Sequence, residues 1–264
     1  MNIAVTGLIP ALISVLTHLK PSILLDNLIF GRYKKFKLYN FVFLNYLRKS
    51  EKSHLLKEDY LYKLISQISL HFNPNFYAEF SFLKKYFSTG ILMLQYPNQF
   101  AKYLITLSKY NIKSYLEIGT GLGGSFITTV EYLMKLNPEF QYAIGIDRLH
   151  YISMQIYAQF NDRVDYIIMD TRSSAFKEFI RRCPHFDLAL IDSSKSYEEC
   201  LRTFEIIKTN IKMVAFHDIL QKEVDAVWNH IKDLYSNEYS LLEFTDQCLK
   251  RGQYLGIGLI IKKE

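Results

Sequence analysis

The alternation of short apolar runs with amphipathic segments most constrains the fold of this chain of 264 residues. The runs lie at residues 115–118, 142–146, 164–169, 188–191 and 213–216. Between them and just after the fifth lie segments whose apolar side chains recur about every 3.6 residues, which is typical of helices that cover a sheet. The clearest stripes are Tyr197, Leu201, Phe204, Ile207 and Val224, Val227, Trp228, Ile231. The sequence therefore predicts five βα units on a parallel sheet.

The end of the chain departs from this alternation. Residues 239–244 and 254–261 are both strand-like, and a polar loop containing Gly252 separates them with no helix between. Two strands joined in this way form an antiparallel hairpin. We therefore predict an α/β sheet of seven strands that closes with a C-terminal hairpin.

The first hundred residues show no β-α alternation and are predicted to be helical. The apolar stretch 3–19 lacks a basic start, contains Gly7 and Pro10, and is shorter than the roughly 20 residues that cross a bilayer. We therefore expect an N-terminal helical cap region over 1–98, a cofactor-binding domain over 99–264 and no transmembrane segment. The absence of a Gly/Ser linker predicts that the two regions pack together.

Composition limits the possible partners. The 32 Lys and Arg residues exceed the 26 Asp and Glu residues, but the positive charges occur in scattered pairs instead of a stripe. This pattern does not favour nucleic acid as a partner. Cys183, Cys200 and Cys248 form no CxxC pair, so neither a disulfide framework nor a zinc site is expected, and a cytoplasmic location fits best.

A glycine-rich turn follows the first predicted strand. Glycines there allow a tight turn and close approach of a ligand, and the following helix offers free N–H groups. Asp147, at the end of the second strand, can accept hydrogen bonds from ribose hydroxyls. The turn satisfies GxGxxG through Gly119, Gly121 and Gly124, with Gly123 and Ser125 beside them. A dinucleotide site is therefore one interpretation.

Glu117 favours a different cofactor. It lies two residues before Gly119, in a strand that should otherwise be apolar, and burying a carboxylate costs several kcal/mol unless it meets donors or a cation. This pattern resembles motif I of class I S-adenosylmethionine-dependent methyltransferases. The resemblance implies a Rossmann-like seven-stranded methyltransferase sheet, with Glu117 near the cationic methionine end of the cofactor, Asp147 at the ribose and Asp170 beside the adenine.

Acidic residues at two further strand ends suggest a metal site. Asp192 ends the fourth strand, and His217 and Asp218 end the fifth. Neighbouring strands lie about 4.8 Å apart, so Asp192, which also borders the cofactor site, and Asp218 can share one divalent cation such as Mg²⁺. Such a cation would lower the pKa of an acceptor hydroxyl and orient it toward the methyl group. Lys195, next to a cation, would have a lowered pKa and would act as the general base.

This segment resembles the cation-dependent O-methyltransferases of the catechol and caffeoyl-coenzyme A type. It is also similar to the bacterial group of macrocin and rhamnosyl O-methyltransferases and "cephalosporin hydroxylases". Two positions differ: many bacterial members have His in place of Lys195, and the catechol type has Asn in place of Ile219. We therefore predict that His217 is the third metal ligand or the base. The resemblance covers roughly 97–219.

The resemblance implies O-methylation of a small polar acceptor, such as a sugar, a glycan precursor or a secondary metabolite. The helical region before Pro97 would contribute to the acceptor pocket or to an oligomer contact such as a homodimer. Two alternatives stay open. One is an NAD(P)-dependent oxidoreductase, which would not explain Glu117 or the closing hairpin. The other is a protein that binds S-adenosylmethionine without catalysis.

Overall fold

The structure is a computed structural model that describes residues 42–66, 68, 93–183, 185–246 and 255–263. The apolar stretch at 3–19, Cys248 and the loop with Gly252 lie outside these residues. Among the described residues, no helix is long and apolar enough to cross a membrane. Cys183 and Cys200 are both free thiols.

The described residues form one seven-stranded sheet, in the order β3-β2-β1-β4-β5-β7-β6. Strands β1 to β5 pair in parallel, and β7 is antiparallel to both β5 and β6. The strands are β1 Ser114–Ile118, β2 Tyr142–Asp147, β3 Val164–Ile168, β4 Phe186–Ile191, β5 Ile211–His217, β6 Tyr239–Phe244 and β7 Ile257–Lys262. This arrangement confirms the predicted fold class. The antiparallel β7, inserted between β5 and β6, departs from the 3-2-1-4-5-6 order of dinucleotide-binding sheets.

Helices cover both faces of this sheet. They are α1 Val42–Lys49, α2 Lys52–Leu55, α3 Glu58–Ser66, α4 Pro97–Leu107, α5 Gly124–Leu136, α6 Ile152–Phe160, α7 Ser174–Arg182, α8 Tyr197–Ile207 and α9 Lys222–Tyr235. The predicted apolar stripes of α8 and α9 pack into the core on one face, where Phe204, Val227 and Trp228 are almost fully buried. All five residues of β1 are buried, as expected for a strand covered on both sides.

The N-terminal helices pack on the α/β sheet, as predicted. Leu44 of α1 and Leu61 of α3 belong to the same buried cluster as Phe126 of α5. The Arg48 guanidinium of α1 forms an ion pair with the buried Glu131 carboxylate of α5. The proposed boundary after residue 98 falls inside the first turn of α4.

Candidate functional site

The glycine turn joins β1 to α5 in a backbone conformation that favours glycine. Gly119 has φ +96°, and a side chain there would meet the backbone carbonyl of Asp192, directly after the neighbouring β4. Gly121 has φ +50°, and a Cβ atom at its position would have no atom within 4 Å. Gly119 therefore allows two strand ends to approach each other, whereas Gly121 leaves open space for a ligand.

The other residues of the turn have distinct roles. Gly124 begins α5 and lines the cavity described below, together with Ser125. Gly123, with φ +84°, is the N-cap of α5 and faces α6: a Cβ there would lie 2.6 Å from Met154 Sδ. Its missing side chain makes room for Met154, and its contact with a cofactor stays a prediction.

Glu117 is fully buried beneath the turn, and its carboxylate meets hydrogen-bond donors. Ser125 Oγ donates to Glu117 Oε1 over 2.5 Å, and the Tyr115 hydroxyl donates to Oε2. Burial raises the pKa of Glu117 to about 8, although both hydrogen bonds act in the opposite direction. Glu117 is therefore mostly neutral near pH 7 and would ionise most readily when a positive charge arrives.

Asp147 organises the turn from the end of β2. Its Oδ2 accepts a hydrogen bond from Gly121 N and its Oδ1 accepts one from Leu149 N, both at 2.9 Å. Burial raises its pKa despite these two donors. Each carboxylate oxygen keeps a lone pair that can accept a further hydroxyl donor.

Asp170 follows β3 at the outer end of the cavity and is half-exposed. Arg172 binds it through its guanidinium, with Nη2 2.7 Å from Oδ2, and through its backbone N–H. These hydrogen bonds lower the pKa of Asp170 to about 2. The carboxylate therefore already has a cationic partner within the chain.

A cavity of about 500 Å³ connects these residues, within the usual size range of small-molecule sites. Its described lining combines turn residues, strand ends and apolar side chains. It includes Met93, Leu94, Gly119, Thr120, Gly121, Leu122, Gly124, Ser125, Ile146, Asp147, Arg148, Leu149, Tyr151, Met169, Asp170, Thr171, Arg172, Asp192, Ser193, Ser194, Lys195 and Glu199. The cavity lies at the carboxyl ends of β1, β2, β3 and β4, where ligands bind in open α/β sheets.

A charged cluster lies at the other end of this cavity, on the adjacent strands β4 and β5. Lys195 Nζ forms ion pairs with Asp192 Oδ1 and Asp218 Oδ2. His217 Nδ1 lies 3.3 Å from Asp192 Oδ1 and 3.1 Å from Asp218 Oδ1. The structure therefore brings together the four residues that the sequence assigned to catalysis and metal binding.

The charges in this cluster determine its pKa values. Burial alone would raise the pKa of Asp192 and Asp218, but the charges of His217 and Lys195 lower both. For His217, burial alone would lower the pKa, but the two carboxylates raise it to about 10. Lys195 also has a raised pKa, because the same carboxylates outweigh its burial. We expected a lowered pKa for Lys195; the difference arises because its described neighbours are carboxylates.

The cluster has the chemistry of a divalent-cation site. Asp192, His217 and Asp218 each offer one ligand atom, and these atoms lie within 4.8 Å of one another. Asp218 Oδ1 and His217 Nδ1 are buried, and neither has a hydrogen bond of suitable geometry among the described residues. Two buried polar atoms that lack such bonds, next to a second carboxylate, fit a cation with oxygen and imidazole ligands.

The sequence analysis did not identify several residues that line the cavity. Arg148 and Arg172 border the cavity, and Tyr151 and Leu149 form part of its wall. Met93 reaches it from the segment before α4. Arg148 directly follows the strand-end Asp147, and Arg172 follows Asp170 by two residues, but side chains from loops have no periodicity that places them.

Comparison with solved structures places this fold among methyltransferases. The O-methyltransferase TomG from Streptomyces achromogenes, involved in tomaymycin synthesis and solved with S-adenosylmethionine, is 14% identical; the match covers 76% of this chain and 89% of TomG, with a TM-score of 0.50. An O-methyltransferase from Bacillus cereus in complex with S-adenosylhomocysteine is 15% identical over 63% and 81% of the two chains, with a TM-score of 0.49. An rRNA methylase from Streptococcus thermophilus is 12% identical over 65% and 99%, with a TM-score of 0.48.

Sequence comparison adds no closer relative. No family model matches the chain, and no curated protein sequence matches it. The seven-stranded sheet with its antiparallel β7 is the methyltransferase fold, and function has to be argued from the site.

Proposed function

We propose that this protein transfers a methyl group from S-adenosylmethionine to a hydroxyl oxygen of a small polar acceptor. One observation carries the proposal: a single cavity is lined by both the open glycine turn and the adjacent Asp192–Lys195 ion pair. Methyl transfer needs both a cofactor cradle and, next to it, a polar site for the acceptor. TomG, which shares the fold, was solved with this cofactor.

The turn suits the positively charged end of S-adenosylmethionine. Gly121 leaves room for close approach, and Ser125 connects the cavity wall to the buried Glu117 through its hydrogen bond. A cationic ligand above this wall would favour the ionised form of Glu117, whose burial otherwise keeps it neutral. The cost of burying Glu117 is then offset when the cofactor binds.

The remaining acids suit the nucleoside. Asp147 can accept hydrogen bonds from the ribose hydroxyls while it holds the Gly121 and Leu149 N–H groups. Asp170 lies farther out along the cavity, with Leu149 and Met169 as apolar neighbours in the lining. These two apolar side chains would contact the faces of an adenine ring, and Asp170, bound by Arg172, would lie beside the ring.

Asp192, His217 and Asp218 would hold a divalent cation such as Mg²⁺ at the acceptor end. When bound, such a cation lowers the pKa of an acceptor hydroxyl and orients its oxygen. Lys195 is the proposed proton acceptor, and His217 is the alternative if it does not bind the cation. In the described ion pairs both have raised pKa values, so each can accept a proton only when the carboxylates are engaged elsewhere.

The N-terminal helical region is proposed to complete the acceptor pocket. Met93 and Leu94, which precede α4, line the cavity directly. Their apolar side chains would exclude water from the reacting atoms, which strengthens electrostatic interactions within the site. A small acceptor, for which a carbohydrate or secondary metabolite is the proposed class, would bind between this segment and Lys195.

The proposal is tested by incubating the purified protein with methyl-labelled S-adenosylmethionine and a panel of sugars, catechols and other small hydroxyl compounds. We expect transfer of label to at least one hydroxyl compound, stimulated by Mg²⁺ and reduced by a chelator. NAD⁺ serves as the control ligand for the dinucleotide alternative. Binding of NAD⁺ without binding of S-adenosylmethionine would contradict the proposal, whereas cofactor binding without transfer to any acceptor would favour the non-catalytic alternative.

A further inference from the structure

The charged cluster contains its own cation. Lys195 Nζ contacts one oxygen of Asp192 and one oxygen of Asp218, which is where a bound ion would bridge the two strands. The Asp192 oxygen that Lys195 contacts is also the oxygen 3.3 Å from His217 Nδ1. The ammonium therefore occupies Asp192 Oδ1 and the second oxygen of Asp218, on the two carboxylates that a metal ion would need.

The Asp218 carboxylate has little space in which to turn away from Lys195. Asp218 is 3% exposed and has φ +65°, so its backbone is held in a conformation that few non-glycine residues adopt. Lys195 differs from it, because 39% of its side chain is exposed and it belongs to the loop that precedes α8. Of these two partners, Lys195 is the one that can move.

Lys195 also lies between the cavity and the deepest ligands. Lys195 and Asp192 belong to the cavity lining, whereas His217 and Asp218 are almost fully buried behind them. A cation that enters from the cavity reaches Asp218 past the ammonium group. Two like charges within a few ångströms of each other repel strongly in a partly buried site.

We propose that Lys195 is an internal competitor for the divalent cation: its ammonium and the metal ion bind Asp192 and Asp218 in mutually exclusive states. This inference rests on the proposed function of the same site. When the metal ion binds, the Lys195 side chain withdraws into the cavity, on the side where the acceptor would bind. Metal affinity is consequently set by a lysine that is not itself a ligand.

The test measures Mn²⁺ affinity by calorimetry for wild type, Lys195→Met and Lys195→Gln. Both variants remove the ammonium group and keep a side chain of similar length. We expect Mn²⁺ to bind about tenfold more tightly, or better, to both variants than to wild type, because one positive charge has been removed beside the ion. Lys208→Met is the matched control: Lys208 is ion-paired with Glu205 at the far end of α8, so its removal should leave Mn²⁺ affinity unchanged.

Equal or weaker Mn²⁺ affinity in the Lys195 variants would overturn the inference. Tight Mn²⁺ binding that survives in the double variant Asp192→Asn/Lys195→Met would also overturn it, because the ion would then lie elsewhere. Circular dichroism of each variant establishes that it is folded. Titration of the same proteins with S-adenosylmethionine separates the two proposals. If the cofactor binds but the Lys195 variants do not bind Mn²⁺ more tightly, only the competition is wrong. If wild type does not bind the cofactor, the proposed function is wrong.

Discussion

Two adjoining parts of the cavity, the glycine turn and the charged cluster, differ in how they balance buried carboxylates. At the glycine turn, Glu117 has hydroxyl donors but no cationic side chain within hydrogen-bonding distance in the described structure, and its pKa is raised to about 8. At the β4–β5 end, Asp192 and Asp218 lie next to Lys195 and His217, and their pKa values are lowered. The glycine turn can therefore receive a positive charge from a ligand, whereas the charged cluster already contains positively charged side chains.

This difference indicates how one sheet edge can serve two ligands. Under the proposed function, the cofactor balances the charge of Glu117, so cofactor binding and ionisation would be linked. In the charged cluster the carboxylates already have cationic partners, so under the competition we propose a divalent cation would have to displace Lys195 first. We therefore expect Glu117 to affect the pH dependence of cofactor binding and Lys195 to affect turnover.

We expect the largest effect on stability at Gly119, where the glycine turn contacts the backbone of Asp192. Its substitution by alanine would place Cβ against the Asp192 backbone carbonyl at a positive φ, so we expect a loss of about 3 kcal/mol or more in unfolding free energy. Gly121→Ala is the matched control, because its Cβ meets no atom within 4 Å and the cost should stay near about 1 kcal/mol. Urea unfolding measures both. Similar losses for the two variants would show that strand packing does not require Gly119.

Lys195→Ala tests the charged end alone. We expect turnover to fall by about 100-fold or more, because a proton acceptor is removed, while the affinity for S-adenosylmethionine stays within about threefold. Steady-state kinetics and calorimetry measure the two quantities separately. Unchanged turnover would eliminate Lys195 as the base and leave His217 as the candidate.

Glu117→Gln tests the turn end alone. If cofactor binding ionises Glu117, the affinity of wild type for S-adenosylmethionine should rise roughly tenfold between pH 6 and pH 8 and then level off. The variant should bind the cofactor more weakly and lose this component of the pH dependence. A wild-type affinity that is independent of pH over this range would contradict the link between binding and ionisation.

The same substitution has the opposite effect on stability. The pKa of Glu117 is higher in the folded than in the unfolded chain, so its neutral form stabilises the fold at low pH, and this contribution is lost as pH rises toward about 8. Glu117→Gln should therefore gain thermal stability relative to wild type as pH increases from 5 to 8. Melting temperatures of the two proteins across this range provide the measurement, and a constant difference would argue against the raised pKa.

Asp170→Asn should have the smallest effect. Asp170 is half-exposed and already bound by Arg172, and solvent screens exposed ion pairs so that they contribute little. We expect the affinity for S-adenosylmethionine to fall by no more than about fivefold. A much larger loss would show that Asp170 contacts the adenine directly and that Arg172 gives way when the cofactor binds.

Much of the fold could be predicted from the sequence because periodic patterns encode buried faces. The alternation after Ser114 and the helix-free closing segment located all seven strands, and the stripe on α9 placed Trp228 in the core. The adjacency of β4 and β5 then brought Asp192 and Asp218 together. These inferences require only the spacing of apolar residues and the rules of parallel sheets.

The parts that could not be predicted depend on contacts between distant side chains. Spacing alone could not show that a side chain at Gly123 would meet Met154. Nor could it show that Lys195 contacts both carboxylates, which reverses the expected direction of its pKa shift. The direction of a pKa shift follows from the sum of nearby charges and burial, and only three-dimensional coordinates give that sum.

The most direct test of the account is a calorimetric titration of the wild-type protein with S-adenosylhomocysteine, with Gly121→Trp as the control. Gly121 borders the cavity and has open space where a side chain would extend, so tryptophan should fill the cofactor cradle without unfolding the protein. We predict one binding site per chain in wild type and none in the variant. Absence of binding to wild type at millimolar ligand, or equal binding to both proteins, would contradict the assignment of this cavity to the cofactor.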